Sequence, residues 1–245
     1  MNNNEIKHNI IRIKTADANN RVIGSGVLYD EDKLGEHIYL LTAAHCLFSD
    51  KDGFSMPLDS VIIEVFNPND NRYNSFTLTD LSSCVAVCTN THEDLVVVRI
   101  PRLILGEIVN SLAKIQLIVD NSDMRMFNVY GYPKANDHQT VLTTPSIWQD
   151  WHLGTDQFFL QLQSDMIEGY VQGYSGGGIF VDIDSGEALL MGLFARYQME
   201  ERGRIIYAQS LKNINVLLSE KRWVEVTFSY LGGWESFKKK ARITC

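Results

Sequence analysis

Gly173-Tyr174-Ser175-Gly176-Gly177-Gly178 is the stretch of this sequence most suited to chemistry. Four glycines around one serine allow a tight backbone turn that most residues resist. Such a turn can aim the N–H groups of Gly173 and Ser175 at one point, as a developing oxyanion requires during acyl transfer. A glycine-rich loop can also be an ordinary hairpin turn or a phosphate cradle. The phosphate reading fits poorly, because no Lys-Ser/Thr pair follows and the next run reads as a strand. Two other residues join the serine. His45 follows the apolar run ending Leu41-Thr42-Ala43-Ala44, whose alanines permit close backbone packing. Asp94 opens Asp94-Leu95-Val96-Val97-Val98, a pattern that would bring its carboxylate to the edge of a core. Alone, each has an ordinary explanation, a structural or exposed histidine and a solvated loop acid. Together they run His, Asp, Ser, with 49 residues from His45 to Asp94 and 81 from Asp94 to Ser175. That spacing would put the first two in one lobe and the serine in another, with a cleft between.

The elements that must position them are mostly strands. Short apolar or alternating runs occur at 9–14, 22–29, 37–42, 60–66, 84–88, 95–100, 115–119, 126–130, 158–163, 178–182, 188–194 and 205–208. Turn signals such as Asn67-Pro68-Asn69-Asp70 and Gly131-Tyr132-Pro133 separate them. Many short strands at regular spacing indicate an all-β sandwich or barrel. One segment differs. Leu211, Ile214, Leu217 and Leu218 fall at helical spacing, and Ser210 is a reasonable N-cap, so a C-terminal helix is expected over about 210–222.

The runs Thr42-Ala43-Ala44-His45-Cys46, Asp94-Leu95-Val96-Val97 and Gly173-Tyr174-Ser175-Gly176-Gly177 resemble the three signature blocks of the trypsin/chymotrypsin superfamily of serine peptidases, in that family's order. Gly24-Ser25-Gly26-Val27-Leu28, Val129-Tyr130-Gly131-Tyr132-Pro133 and Gly192-Leu193-Phe194 add to the likeness. The resemblance implies an all-β fold of two six-stranded antiparallel β-barrels with a C-terminal α-helix. A peptidase domain would span 1–223, with barrels over about 6–105 and 114–208, and a C-terminal extension over 224–245. It also implies serine endopeptidase activity: Ser175 as nucleophile, His45 as general base and acid, Asp94 as its orienting acid, and Gly173 and Ser175 as the oxyanion hole. Glu93, beside Asp94, reads as a solvated neighbour.

Several positions depart from the family. Tyr174 stands where zymogen-activated members carry an aspartate, which points to the bacterial type that lacks that activation route. Cys46 follows the histidine as in enzymes that bridge it to the preceding strand, yet residues 22–29 contain no cysteine. Counting back from the serine puts Gly169 at the base of the pocket for the residue before the cut, where Arg/Lys-specific members have aspartate. Tyr170, Tyr197 and Ile205 would line that pocket, suggesting an uncharged or small side chain, whereas Arg196 could instead attract an acidic substrate residue. Ala195 falls where the family often has a serine supporting the acid.

The 245 residues carry 45% hydrophobic and 21% charged side chains, a globular composition with a net charge of −8. That charge argues against nucleic acid as a partner, and the basic run Lys238-Lys239-Lys240 with Arg242 reads as a solvated tail. No window approaches eighteen uninterrupted apolar residues, so no membrane span is expected. No export signal is visible at the amino terminus, so the four cysteines are expected as free thiols in the cytoplasm. Cys84, Cys88 and His92 could suggest a metal, but residues four apart on a strand lie about 13 Å from each other, too far for one ion. Neither metal nor cofactor is expected. The expected partners are a protein substrate and an activating protein or larger complex, as in bacterial effector proteases of antiviral defence or signalling. The competing reading is a catalytically silent protein-binding module of the same fold. An esterase elbow is excluded, since a strand-like run, not a helix, comes directly after Ser175, and no histidine follows it anywhere.

Overall fold

Strands form where β-branched and aromatic residues alternate or run together between turn residues. The computed structural model describes residues 3–31, 34–49, 53–87, 93–118, 126–133, 142–154, 157–164, 171–181, 188–200 and 203–229. The amino-terminal lobe contains β1 (Ile10–Thr15), β2 (Val22–Tyr29), β3 (His37–Thr42), β4 (Ser60–Asn67), β5 (Arg72–Thr79), β6 (Val85–Val87) and β7 (Val96–Pro101). They form one seven-stranded sheet in the order β5-β4-β1-β2-β3-β7-β6, with every pairing antiparallel.

The second lobe contains β8 (Ile115–Ile118), β9 (Met126–Gly131), β10 (Leu142–Gly154), β11 (Gln157–Ser164), β12 (Gly178–Val181), β13 (Ala188–Glu200), β14 (Gly203–Ser210) and β15 (Phe228–Ser229). Its sheet runs β12-β9-β10-β11-β14-β13-β8-β15, and an added pairing of β12 with β13 closes six strands into a barrel. The expected all-β fold with a C-terminal helix is therefore present, with two refinements of the six-plus-six antiparallel expectation. The first sheet has seven strands. The second carries β8 parallel to β13 and β15 parallel to β8, outside the ring.

Two strands were not expected. β5, Arg72-Tyr73-Asn74-Ser75-Phe76-Thr77-Leu78-Thr79, is a largely solvent-facing edge strand, so its sequence lacks an apolar face. β10 mixes polar and aromatic residues without clean alternation and is held between β9 and β11. The helix is shorter than expected, Ile214–Glu220, because Ser210 still belongs to β14 and its Oγ accepts the Lys212 N–H at 3.2 Å. Its buried face, Ile214, Leu217 and Leu218, is the expected one.

Burial is organised in three clusters, one inside each lobe and one between them. The shared cluster joins Ile10, Val27, Tyr39 and Leu41 to Tyr130, Tyr132, Phe180 and Leu190, so the two sheets are fastened by apolar packing. Residues 223–229 strap across this junction. Trp223 stacks on Tyr39 with centroids 6.2 Å apart, the Tyr39 hydroxyl donates to Val224 O at 2.8 Å, and Val226 exchanges two hydrogen bonds with the Asn215 amide. Among the described residues no helix is long and apolar enough to cross a membrane.

Candidate active site

His45 and Asp94 meet because β3 and β7 are neighbours. The register pairs Thr42 with Val96, so the residues just past one strand lie beside those just before the other. Ala43 continues extended (φ −73°, ψ 135°), and residues 44–46 then form a single 3₁₀ turn that lifts His45 off the sheet. Both alanines are fully buried, leaving the turn little freedom. Asp94 Oδ1 accepts the His45 backbone N–H at 2.9 Å, and Asp94 Oδ2 pairs with His45 Nδ1 at 2.6 Å. This bidentate contact sets the ring's orientation and makes Nδ1 the protonated nitrogen. Burial disfavours a charged imidazole here, but the Cys46 sulfur and the Asp94 carboxylate outweigh it and raise the His45 pKa above its usual value of 6.5.

The Asp94 segment is also fixed from the opposite lobe. Its backbone N–H donates to Gln209 Oε1 at 3.0 Å, and Gln209 is 1% exposed. Glu93 is not solvated as expected: it is 4% exposed, and its Oε1 accepts from Asn213 Nδ2 at 2.6 Å. The helix entry at Asn213 packs against this loop, a tertiary contact that local sequence could not show.

Ser175 sits in the expected turn. Gly177 N–H donates to Tyr174 O at 2.6 Å, closing the reversal around Ser175 and Gly176, and Gly176 N–H and Phe194 N–H tie the loop to β13. Gly176 takes φ +79°, and a Cβ there would lie 2.1 Å from Thr42 Oγ1 and 2.3 Å from Ser25 O, so no side chain fits. Ser25 locks the loop to the first lobe. Its N–H donates to Ser175 O at 2.7 Å, its hydroxyl donates to Gly173 O at 2.6 Å, and the same Oγ accepts the Tyr132 N–H at 2.9 Å. Ser25 and Gln209 had no chemical signature in the sequence beyond the flanking glycines of the former. Among the described residues, no protein acceptor takes the Gly173 or the Ser175 N–H.

His45, Gly173 and Ser175 line one cleft of about 700 Å³ where the lobes meet. A histidine held by a carboxylate, in the same cleft as a serine and two available N–H donors, is the set that could activate a nucleophile and receive an oxyanion. Gly169 and Tyr170 lie outside the described residues, and so do the side chains of Tyr197 and Ile205. Arg196 is exposed on β13, with its guanidinium 4.6 Å from the centre of the Tyr207 ring. Cys46 is a buried free thiol facing Gly24, where a Cβ would come within 2.4 Å of its Sγ. Cys84 is half-buried and free, while Cys88, Cys245 and His92 lie outside the described residues. Among the described residues no group of three His, Cys, Asp or Glu side chains is arranged to hold a metal.

Solved structures place this arrangement in a known architecture. The chain is similar to the protease Anisep from Arthrobacter nicotinovorans, with a TM-score of 0.61 and 14% identity over 88% of this chain and 95% of that one. The fold is trypsin-like. A thermostable serine protease, AL20, from an extremophilic microorganism matches with a TM-score of 0.59 and 12% identity over 84% of this chain and 92% of its own. Kallikrein-related peptidase 10 matches with a TM-score of 0.59 and 15% identity over 89% and 97%. No protein-family model matches the sequence, and no curated protein matches it. In trypsin-like terms, the site lies in the groove between the two lobes.

Proposed function

We propose that this protein is a serine endopeptidase that hydrolyses peptide bonds of protein substrates through His45, Asp94 and Ser175. The observation that carries the reading is the shared cleft: Ser175 and an Asp94-bonded His45 line one cavity, beside two unengaged N–H groups. Ser175 Oγ attacks the scissile carbonyl while His45 Nε2 takes its proton. The Gly173 and Ser175 N–H groups receive the oxyanion, and Asp94 stabilises the imidazolium. The tetrahedral species collapses, His45 protonates the leaving amine, and the acyl group stays on Ser175. Water then attacks by the same route in reverse and releases the acid.

In this reading the chain acts in the cytoplasm as a regulated effector of a bacterial defence or signalling system, licensed by a partner protein. Support comes from Tyr174, which leaves no aspartate for zymogen activation, and from the unbridged Cys46 opposite Gly24. The test is labelling of the intact protein by a fluorophosphonate probe, read by mass spectrometry, with Ser175→Ala and His45→Ala beside it. One adduct on Ser175, lost in both variants, is expected. Absence of the adduct with and without candidate partners would leave a silent binding module.

A further inference from the structure

Arg196, the expected substrate-contacting residue whose side chain is described, does not line the cleft beside Ser175. Among the described residues, its apolar walls are Val22 and Ile23 at the start of β2, Cys46 next to His45, and Phe48 and Leu58 from the following loop. The leaving amine must take its proton from His45, so it departs on the imidazole side of Ser175. A cavity that shares His45 and Cys46 therefore faces the segment carrying the new amino terminus.

We propose, on the basis of the hydrolytic reading above, that this cavity selects a large apolar residue immediately after the cut bond and an acidic residue next to it. Ile23, Phe48 and Leu58 make the walls apolar, and about 700 Å³ is room for more than one side chain. Arg21 carries the one fixed charge among the described lining residues. Its backbone is pinned, with Thr15 N–H donating to Arg21 O at 2.9 Å and Arg21 N–H donating to Thr15 Oγ1 at 3.0 Å. Its guanidinium has no ion pair among the described residues. The acid in the same turn, Asp17, feels the Arg21 charge, but its Oδ1 is taken by the Thr15 hydroxyl and the N–H groups of Asn19 and Asn20. An exposed cation on a fixed base, lining an apolar cleft in a protein of net charge −8, matches a carboxylate on the incoming chain.

The experiment is acyl transfer. p-Nitrophenyl acetate acylates Ser175 and releases p-nitrophenol as a burst. Dipeptide amides then compete with water for the acyl group. The amine forms the new C–N bond, the C–Oγ bond breaks, and the amine proton passes through His45 to Ser175 Oγ. The expected result is capture by Leu-Asp amide at least about tenfold better than by Gly-Asp amide, and about threefold better than by Leu-Lys amide. Arg21→Ser should collapse the Asp-over-Lys ratio and Arg21→Glu should invert it, each ratio being internal to one preparation. A burst with equal capture of all three amides would overturn the subsite and leave the hydrolytic reading intact. No burst, with or without candidate partners, would overturn both.

Discussion

Gln209 Oε1 accepts the backbone N–H of Asp94 at 3.0 Å, so the acid of one lobe is held by a buried amide of the other. On the resemblance to the trypsin/chymotrypsin superfamily, Ala195 falls where a serine supporting the acid often stands, and it has no hydroxyl to offer. Gln209 thus steadies the acid through its main chain. In Gln209→Leu the Asp94 N–H loses its acceptor, and the fluorophosphonate labelling rate of Ser175 should fall roughly tenfold. The low-field proton resonance of His45 Nδ1 should shift or broaden as well. An unmoved resonance with a normal rate would show that Gln209 does not position the acid.

Asn213→Ala addresses the neighbouring contact. Glu93 Oε1 would lose its partner, and its Oε2 is already buried without one among the described residues. A stability loss of about 2 kcal/mol is expected, the usual cost of breaking a buried hydrogen bond to a charged group. Denaturant melts would read it as a lower midpoint with an unchanged slope.

Ser25→Ala removes both the donor to Gly173 O and the acceptor for Tyr132 N–H. The Gly173 peptide would then be free to rotate, taking its N–H away from the oxyanion position. Labelling of Ser175 should drop about a hundredfold, with unfolding easier by about 2 kcal/mol. A destabilised variant that still labels at the full rate would separate Ser25 from the chemistry.

The pH dependence follows from His45, whose folded pKa lies above 6.5. A raised folded value means that the charged imidazole favours the fold. This contribution is complete below pH 6.5 and is lost as the pH rises through the folded value. In the proposed mechanism labelling runs the other way, because Ser175 would be activated only by neutral imidazole. The rate should therefore rise with a midpoint above 6.5, and Asp94→Asn should move that midpoint down. A wild-type midpoint at or below 6.5 would contradict this account.

The extent to which the site was legible differs residue by residue. The glycines around Ser175 are readable because a tight turn constrains residue type locally, and Gly176 meets that constraint through both its φ and its crowding by Thr42 and Ser25. His45 and Asp94 are readable because each adjoins an apolar strand, and strand ends are marked by where the apolar run stops. β5 was missed because an edge strand facing solvent needs no apolar alternation. Glu93 was read as solvated because its neighbours in sequence do not reveal that Asn213, 120 residues later, covers it.

By itself, then, the sequence determined the strand-rich class, the serine turn, and the order of the candidate residues His45, Asp94 and Ser175, all of which rest on constraints within a few neighbouring positions. Only the tertiary structure decided that Gln209 and Asn213 hold the acid's loop, that Ser25 bolts the serine turn to the other lobe, and that Arg21 overlooks an apolar cavity. Each of these depends on which strands become neighbours when apolar faces are buried between two sheets, and that pairing joins residues whose separation along the chain carries no local signal.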